Sequence, residues 1–242
     1  MNLSFHRLLL MMAVICCGAF INKYQPHNDW LSRALELQQH INPGNTAYRH
    51  KTDDVAWGDN NGDYHCFTDC SGFINALISK TCGWDENDFR KAFGRKRMLA
   101  YNYFDAITNA NHFLPVGHIN EVRPGDLVAL QYADRSEHED NTGHCMLITA
   151  FPRQRNATTI AVPGTRQFEV EVIDCSRSPH GKSDTRFLTG GEEYAGLGKG
   201  LFRLYTDLEG KIVAYSWSVQ APKAGFNPYE NAVVVGRFIA NK

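Results

Sequence analysis

Residues 63–80 read DYHCFTDCSGFINALISK, in which a cysteine, a small hydroxyl residue and a glycine precede a run of apolar residues at helical spacing. Phe73, Ile74, Leu77 and Ile78 recur at the spacing that lines one side of a helix, and Asp69 stands where an N-cap belongs. The spacing predicts a helix over 71–80 with one buried side and Cys70 in its first turn. At a helix start the unpaired backbone N–H groups and the helix dipole favour negative charge, so a cysteine there has its thiolate stabilised. That is how a nucleophile is made. Taken alone, Cys70 is equally a buried structural or disulfide-forming cysteine, and the surrounding chain has to decide.

Working outward, residues 28–41 carry Trp30, Leu31, Ala34, Leu35 and Ile41 on one face, with Asn28 or Asp29 as cap and the NPG at 42–44 as stop. Further helices are predicted over 85–93 and 97–110. Beyond Pro115 the period changes to two. The stretches 122–132, 144–151, 168–175, 201–207, 211–219 and 232–239 read as strands, with a hairpin at Glu209-Gly210. Helices early and an antiparallel meander late predict an α+β fold with helices packed on one face of a sheet. Residues 176–200 form the longest stretch without a periodic pattern, a kind of loop that in a compact domain is more often functional than idle.

The chain has 242 residues, 25 Lys and Arg against 26 Asp and Glu, and a net charge of −1, which suits one globular domain. Near-neutral charge with no basic stripe excludes nucleic acid as an expected partner. Residues 1–19 combine Arg7, an apolar run from Leu8 and small residues at Gly18 and Ala19, the pattern of a signal peptide whose removal leaves a chain starting near Phe20. The expected location is therefore outside the cytoplasm, in a periplasm, cell envelope or the medium, with no stable membrane insertion after cleavage. An uncleaved anchor is the alternative. The exported chain keeps Cys66, Cys70, Cys82, Cys145 and Cys175, an odd number, so at least one thiol stays free. A Cys66–Cys82 disulfide is one candidate pairing. No CxxC pair with finger-like spacing supports a zinc site.

A cysteine nucleophile needs a base. His144 follows a glycine turn at the start of a strand and shares its face with Met146 and Ile148, placing an imidazole at the open end of a core strand. Asp174 lies on the face of Phe168, Val170 and Val172, where a carboxylate requires a partner because an unpaired buried charge is costly. Cysteine, histidine and an orienting acid in that chain order form a nucleophile, base and orienter. Asp126 in PGDL is turn chemistry, and Asp174 before Ser176 has a turn or cap role as its blander reading. The Asn-Ala-Thr at 156–158 matches a glycosylation sequon.

DCSGF at 69–73, RPGDLVAL at 123–130, GHCMLI at 143–148 and the strand ending at Asp174, in that order, resemble the NlpC-type cell-wall cysteine peptidases, a bacterial family with a papain-like fold. The match spans roughly residues 45–176. The resemblance implies a catalytic Cys70, the base His144 and a third polar residue on the next strand, here Asp174, with an upstream tyrosine, here Tyr48, joining the Cys70 N–H at the oxyanion. Tyr48, Asp69, Ser71 and Arg186 form the predicted oxyanion and substrate-binding surroundings, Arg177 and Arg186 being clamps for a substrate carboxylate. Where the family more often has histidine as third member this chain has Asp174, so His180 is a rival orienter. Residues 176–242 have no counterpart in the pattern and read as a C-terminal β elaboration of one papain-like domain over 20–242. The implied activity is hydrolysis of an amide bond in a peptidoglycan stem peptide, with no cofactor. Acyl transfer by the same residues, and a non-catalytic cell-wall-binding module, are the alternatives.

Overall fold

A computed structural model describes residues 26–50, 52–59, 62–132, 142–156, 161–221 and 231–240. The expected leader at 1–19, with Cys16 and Cys17, lies outside the described residues, as does most of the sequon at 156–158.

Among the described residues four α-helices precede most of the strands: α1 (Pro26–His40), α2 (Cys70–Cys82), α3 (Glu86–Phe93) and α4 (Ala100–Thr108). The local chemistry that sets their ends is visible. The Asp69 side chain accepts from Gly72 N, and α2 stops at Gly83, whose φ of 68° suits a residue without Cβ. Helix α3 opens with a capping box between Asp85 and Asp88.

A small sheet stands in front of the Cys70 helix. Strands β1 (Thr46–Tyr48), β2 (Asp53–Trp57) and β3 (Tyr64–Thr68) pair in the order β1-β3-β2, β1 running parallel to β3 with Tyr48 opposite Thr68. The large sheet contains β4 (Phe113–Pro115), β5 (Leu127–Tyr132), β6 (Gly143–Ile148), β7 (Arg153–Arg155), β8 (Arg166–Ser176), β9 (Gly196–Thr206), β10 (Ile212–Ser216) and β11 (Asn231–Phe238). Its order is β10-β9-β8-β6-β5-β11-β4, with β7 beside β8, and every pairing is antiparallel. The molecule is thus mixed α+β.

The sheet curls until its ends meet. Ile212 N donates to Gly117 O at 2.9 Å, Ile119 N donates to Gly210 O at 3.0 Å, and His118 bridges Lys211, so the segment after β4 is stitched to β10. Alternation along each strand then sends side chains to two different cores. Val128, Leu130, Met146, Ile148, Val170, Val172, Phe202, Leu204 and Tyr215 fill the inside of the curl. Leu127, Ala129, Cys145, Leu147, Ile173 and Cys175 point outward, where the helices cover them with Trp30, Phe73, Leu77 and Tyr103. Both faces of β5, β6 and β8 are therefore buried, and helices occupy one face only.

Several boundaries differ from the sequence reading. The strand expected from 122 begins at Leu127, because Arg123 N donates to Asp126 Oδ2 at 2.8 Å and the Asp126 carboxylate pairs with Arg237, fixing 123–126 as a turn. The strand expected at 201–207 starts five residues earlier, at Gly196. Residues 177–195 carry no regular strand or helix, yet His180, Asp184 and Arg186 within them are fully or almost fully buried. Strands β9, β10 and β11 are members of the same sheet, β11 lying between β5 and β4, so the C-terminal third is built into the fold rather than added to it.

Candidate active site

At one end of the curled sheet the polar residues of β6 and β8 meet the start of α2. Cys70, the first helical residue, is 4 % exposed, and His144 is in hydrogen-bond contact with its side chain. His144 Nε2 donates to Asp174 Oδ2 at 2.5 Å. One imidazole thus has Cys70 and the carboxylate as its neighbours. The His144 and Trp217 rings meet edge to face with centroids 4.9 Å apart, which limits rotation of the imidazole.

The electrostatics follow from burial and neighbours. Burial alone pushes the His144 imidazolium down, but the charge of Cys70, the bonds to Asp174 and Cys70 and the charge of Asp174 outweigh it, bringing the ring up to about 9. Burial likewise favours a neutral Asp174, but the Arg186 guanidinium and the His180 ring, with hydrogen bonds from both histidines, hold its carboxyl well below the usual carboxylate range. Tyr48 is half-buried beside this pair, and burial, then the charges of Cys70 and Asp69, push its phenol up, so it stays an O–H donor. The Arg177 guanidinium lies 5.4 Å from the Tyr48 ring centroid. The parallel pairing of β1 with β3 carries Tyr48 to the neighbourhood of Cys70, across a sequence gap that spacing alone left wide.

Other predicted residues have different places. Ser71 Oγ donates to Asp69 Oδ1 at 2.8 Å, the same oxygen that accepts from Gly72 N at 2.8 Å and from Arg97 Nη2 at 2.8 Å. Asp69 and Ser71 are buried, and their side chains bond to each other and to the first turn of α2. Arg186 is 0 % exposed, donating to Asp174 Oδ1 and to both oxygens of Asp184, so it does not reach a substrate carboxylate. His180, the rival orienter, donates from Nε2 to Asp174 Oδ2 at 3.1 Å; it touches the carboxylate that His144 touches, and Asp174 lies between the two rings. The five described cysteines are free thiols, and Cys66 meets Cys175 rather than Cys82. Among the described residues no group of three or more His, Cys, Asp or Glu side chains is arranged to hold a metal ion, and no helix is long and apolar enough to cross a membrane.

The sequence reading did not single out Asp184, Trp217, Arg97 or Asp53. Arg97 pairs with both Asp53 and Asp69 and so fastens the capping carboxylate from behind. It also lines a cleft of about 920 Å³ with Trp57, Asn75, Ser79, Lys80 and Phe89. Of these, Asn75 and Ser79 are turned away from Cys70, Ile74 and Leu77 around α2, so this cleft does not open on the side of the helix that presents Cys70. One signal for Arg186, Asp184 and His180 was present in GLGKG: a Cβ at Gly198 would stand 2.4 Å from Arg186 Nε, and one at Gly200 would stand 2.4 Å from Asp184 Oδ2. The glycines make room for the buried charges.

Comparison with known proteins gives a relative without a family description. No family model matches the chain, and no solved structure matches it. The uncharacterized protein R653 of Acanthamoeba polyphaga mimivirus is 33 % identical over 224 residues, which cover 90 % of this chain and 98 % of the viral protein. At that identity over nearly the full length of both, the chain belongs to the same family as the mimivirus protein R653.

Proposed function

We propose that the protein is a thiol hydrolase of the NlpC type, with a papain-like arrangement of site residues, that cleaves an amide bond through Cys70. The observation that carries the reading is the imidazole of His144 held between the Cys70 sulfur, at the start of a capped helix, and the Asp174 carboxylate at 2.5 Å. The imidazolium of His144 faces the Cys70 thiolate, whose sulfur attacks the amide carbonyl. The Cys70 N–H and the Tyr48 O–H are the donors for the oxyanion. His144 gives its proton to the departing amine as the C–N bond breaks, leaving a thioester. It then takes a proton from water as the hydroxyl attacks the thioester, and Cys70 leaves as thiolate. Asp174 orients the ring and favours its charged form. These steps draw on the chain's own residues.

Stem peptides of peptidoglycan are the substrate class that the motifs at 69–73, 123–130 and 143–148 favour, and the apolar run at 8–19 favours export. Incubating the protein with purified peptidoglycan fragments and with unrelated peptides, followed by mass spectrometry of new termini, tests both levels. Cleavage of stem peptides that is lost in Cys70→Ala is the expected result. Cleavage confined to other peptides removes the cell-wall substrate but keeps the hydrolase. Full cleavage by Cys70→Ala removes the hydrolase reading itself.

A further inference from the structure

Cys66 and Cys175 are fully buried thiols that the proposed reaction does not use, and the fold brings them together from distant parts of the chain. Cys66 is the middle residue of β3 and Cys175 the last but one of β8, so each belongs to a different sheet. One threonine ties their backbones. Thr46 Oγ1 donates to Cys66 O at 2.8 Å and accepts from Leu197 N at 2.9 Å, and Leu197 stands opposite Cys175 in the register of β8 with β9. Gly196 permits this approach of the two sheets, since a Cβ there would stand 2.4 Å from Thr46 Oγ1. The Cys175 Sγ lies 3.0 Å from Thr68 O, on β3, and 4.0 Å from Ala47 O, on β1. It is thus seated on the small sheet, and its side chain is in hydrogen-bond contact with that of Cys66. The other thiols are placed elsewhere. Cys70 contacts His144, Cys145 Sγ is 4.0 Å from Ala100 O, and Cys82 ends α2, roughly 18 Å along the helix axis from Cys70.

We propose that Cys66 and Cys175 are a disulfide site, oxidised while the chain folds or opens, that fastens the strand leading into Cys70 to the strand carrying Asp174. The oxidant is a small-molecule disulfide such as oxidised glutathione. A thiolate of one cysteine attacks it, forming a mixed disulfide and releasing one glutathione thiolate. The thiolate of the second cysteine then displaces the other glutathione. Two protein thiols are thereby oxidised, one glutathione disulfide is reduced to two thiols, and the two protons lost by the protein go to the departing sulfurs. Burial pushes the Cys175 thiol well above its ordinary range and keeps it an S–H in the closed molecule, so exchange belongs to the opening or folding chain. The bond takes two of the five described cysteines and leaves Cys70, Cys82 and Cys145 as thiols, so it does not compete with the nucleophile. The site does not rest on the thiol hydrolase reading.

The test places the full chain in a buffer of reduced and oxidised glutathione, both during refolding from urea and, in parallel, as the native protein. Remaining thiols are alkylated in denaturant, and the unreduced digest is read by mass spectrometry. The expected result, in either arm, is a linked pair of peptides containing Cys66 and Cys175, with Cys82 and Cys145 alkylated. Alkylation of both Cys66 and Cys175 in each arm, or linkage of either to a different cysteine, overturns the proposal. The fastening is read from melting temperature. Closing a loop of roughly 100 residues removes freedom from the unfolded chain, so the linked wild type should melt about 5 °C or more above the same protein after reduction. Cys66→Ala should show no such difference between the two buffers, and the wild-type comparison stands if that variant does not fold. An equal or lower melting temperature for the linked form overturns the fastening role. A linked pair in a protein that cleaves no amide would instead fail the hydrolase reading alone.

Discussion

At the scale of single residues the site is a competition between burial and charge at His144. Burial disfavours an imidazolium, yet Cys70 and Asp174 bring the ring up to about 9 from the usual 6.5. A group raised in this way is charged below about 9 and loses its proton as pH rises through that value, so the proposed hydrolysis should fail on the alkaline side. Asp174→Asn removes a carboxylate that favours the charged ring. The basic limb of kcat/KM should therefore move to lower pH, and the rate should fall by about 10² or more. A pH profile of the variant against wild type checks this; an unmoved limb would take the orienting role from Asp174. His144 and Asp174 were legible in the sequence because period-two alternation puts each on an otherwise apolar face, where a polar residue needs a partner. Trp217 was not, because an aromatic residue on a strand has packing as its ordinary reason.

At the scale of elements, the helix that presents Cys70 and the strand that backs Asp174 are shaped by what they must accommodate. Gly72 in α2 lies so close to Thr68 and Asp53 that a Cβ would come within 2.0 Å of Thr68 Oγ1 and 2.1 Å of Asp53 Oδ1. In β9, Gly198 stands opposite Asp174 in register, and the Arg186 side chain runs across it. Gly198→Ala would push that guanidinium off its seat and loosen Asp174, at a cost of about 1–3 kcal/mol in unfolding free energy. Gly190→Ala, where a Cβ meets nothing within 4 Å, is the control. Urea unfolding of both variants should show the loss only in the first, with a parallel fall in turnover; equal stability would contradict the packing argument. The helices and most large-sheet strands could be read from periodicity because each buries one face. The small sheet of β1, β2 and β3 could not: β1 has only three residues, and β2 has a single fully buried side chain, Trp57.

At the scale of the whole molecule, the segment 177–195 is held to the sheet by charge rather than by an apolar face. Arg186 donates to Asp174, Asp184, the Ser176 hydroxyl and the Gly196 carbonyl, all buried. Removing the cation strands two carboxylates in the interior, so Arg186→Met should cost about 3–5 kcal/mol. Arg153→Met, where the arginine side chain is 74 % exposed in its ion pair with Glu169, should cost about 1 kcal/mol or less. Thermal or urea unfolding of the two variants checks the contrast, and similar losses would contradict it. This is also why the region resisted sequence reading. Periodicity reports apolar faces, and a loop anchored by His180, Asp184 and Arg186 has none, while the curl that brings residues 116–119 to β10 depends on pairings far apart in the chain.

The proposed nucleophilicity of Cys70 comes from its position and not from its access. Site-resolved alkylation by iodoacetamide near neutral pH, followed by peptide mass spectrometry, separates the two. Access alone favours Cys82, which is partly exposed while Cys70 is 4 % exposed and Cys66, Cys145 and Cys175 are 0 % exposed. Cys70 should react first in the folded protein, and His144→Ala should abolish its lead. Faster labelling of Cys82 than of Cys70, or a Cys70 rate unchanged in His144→Ala, would contradict it.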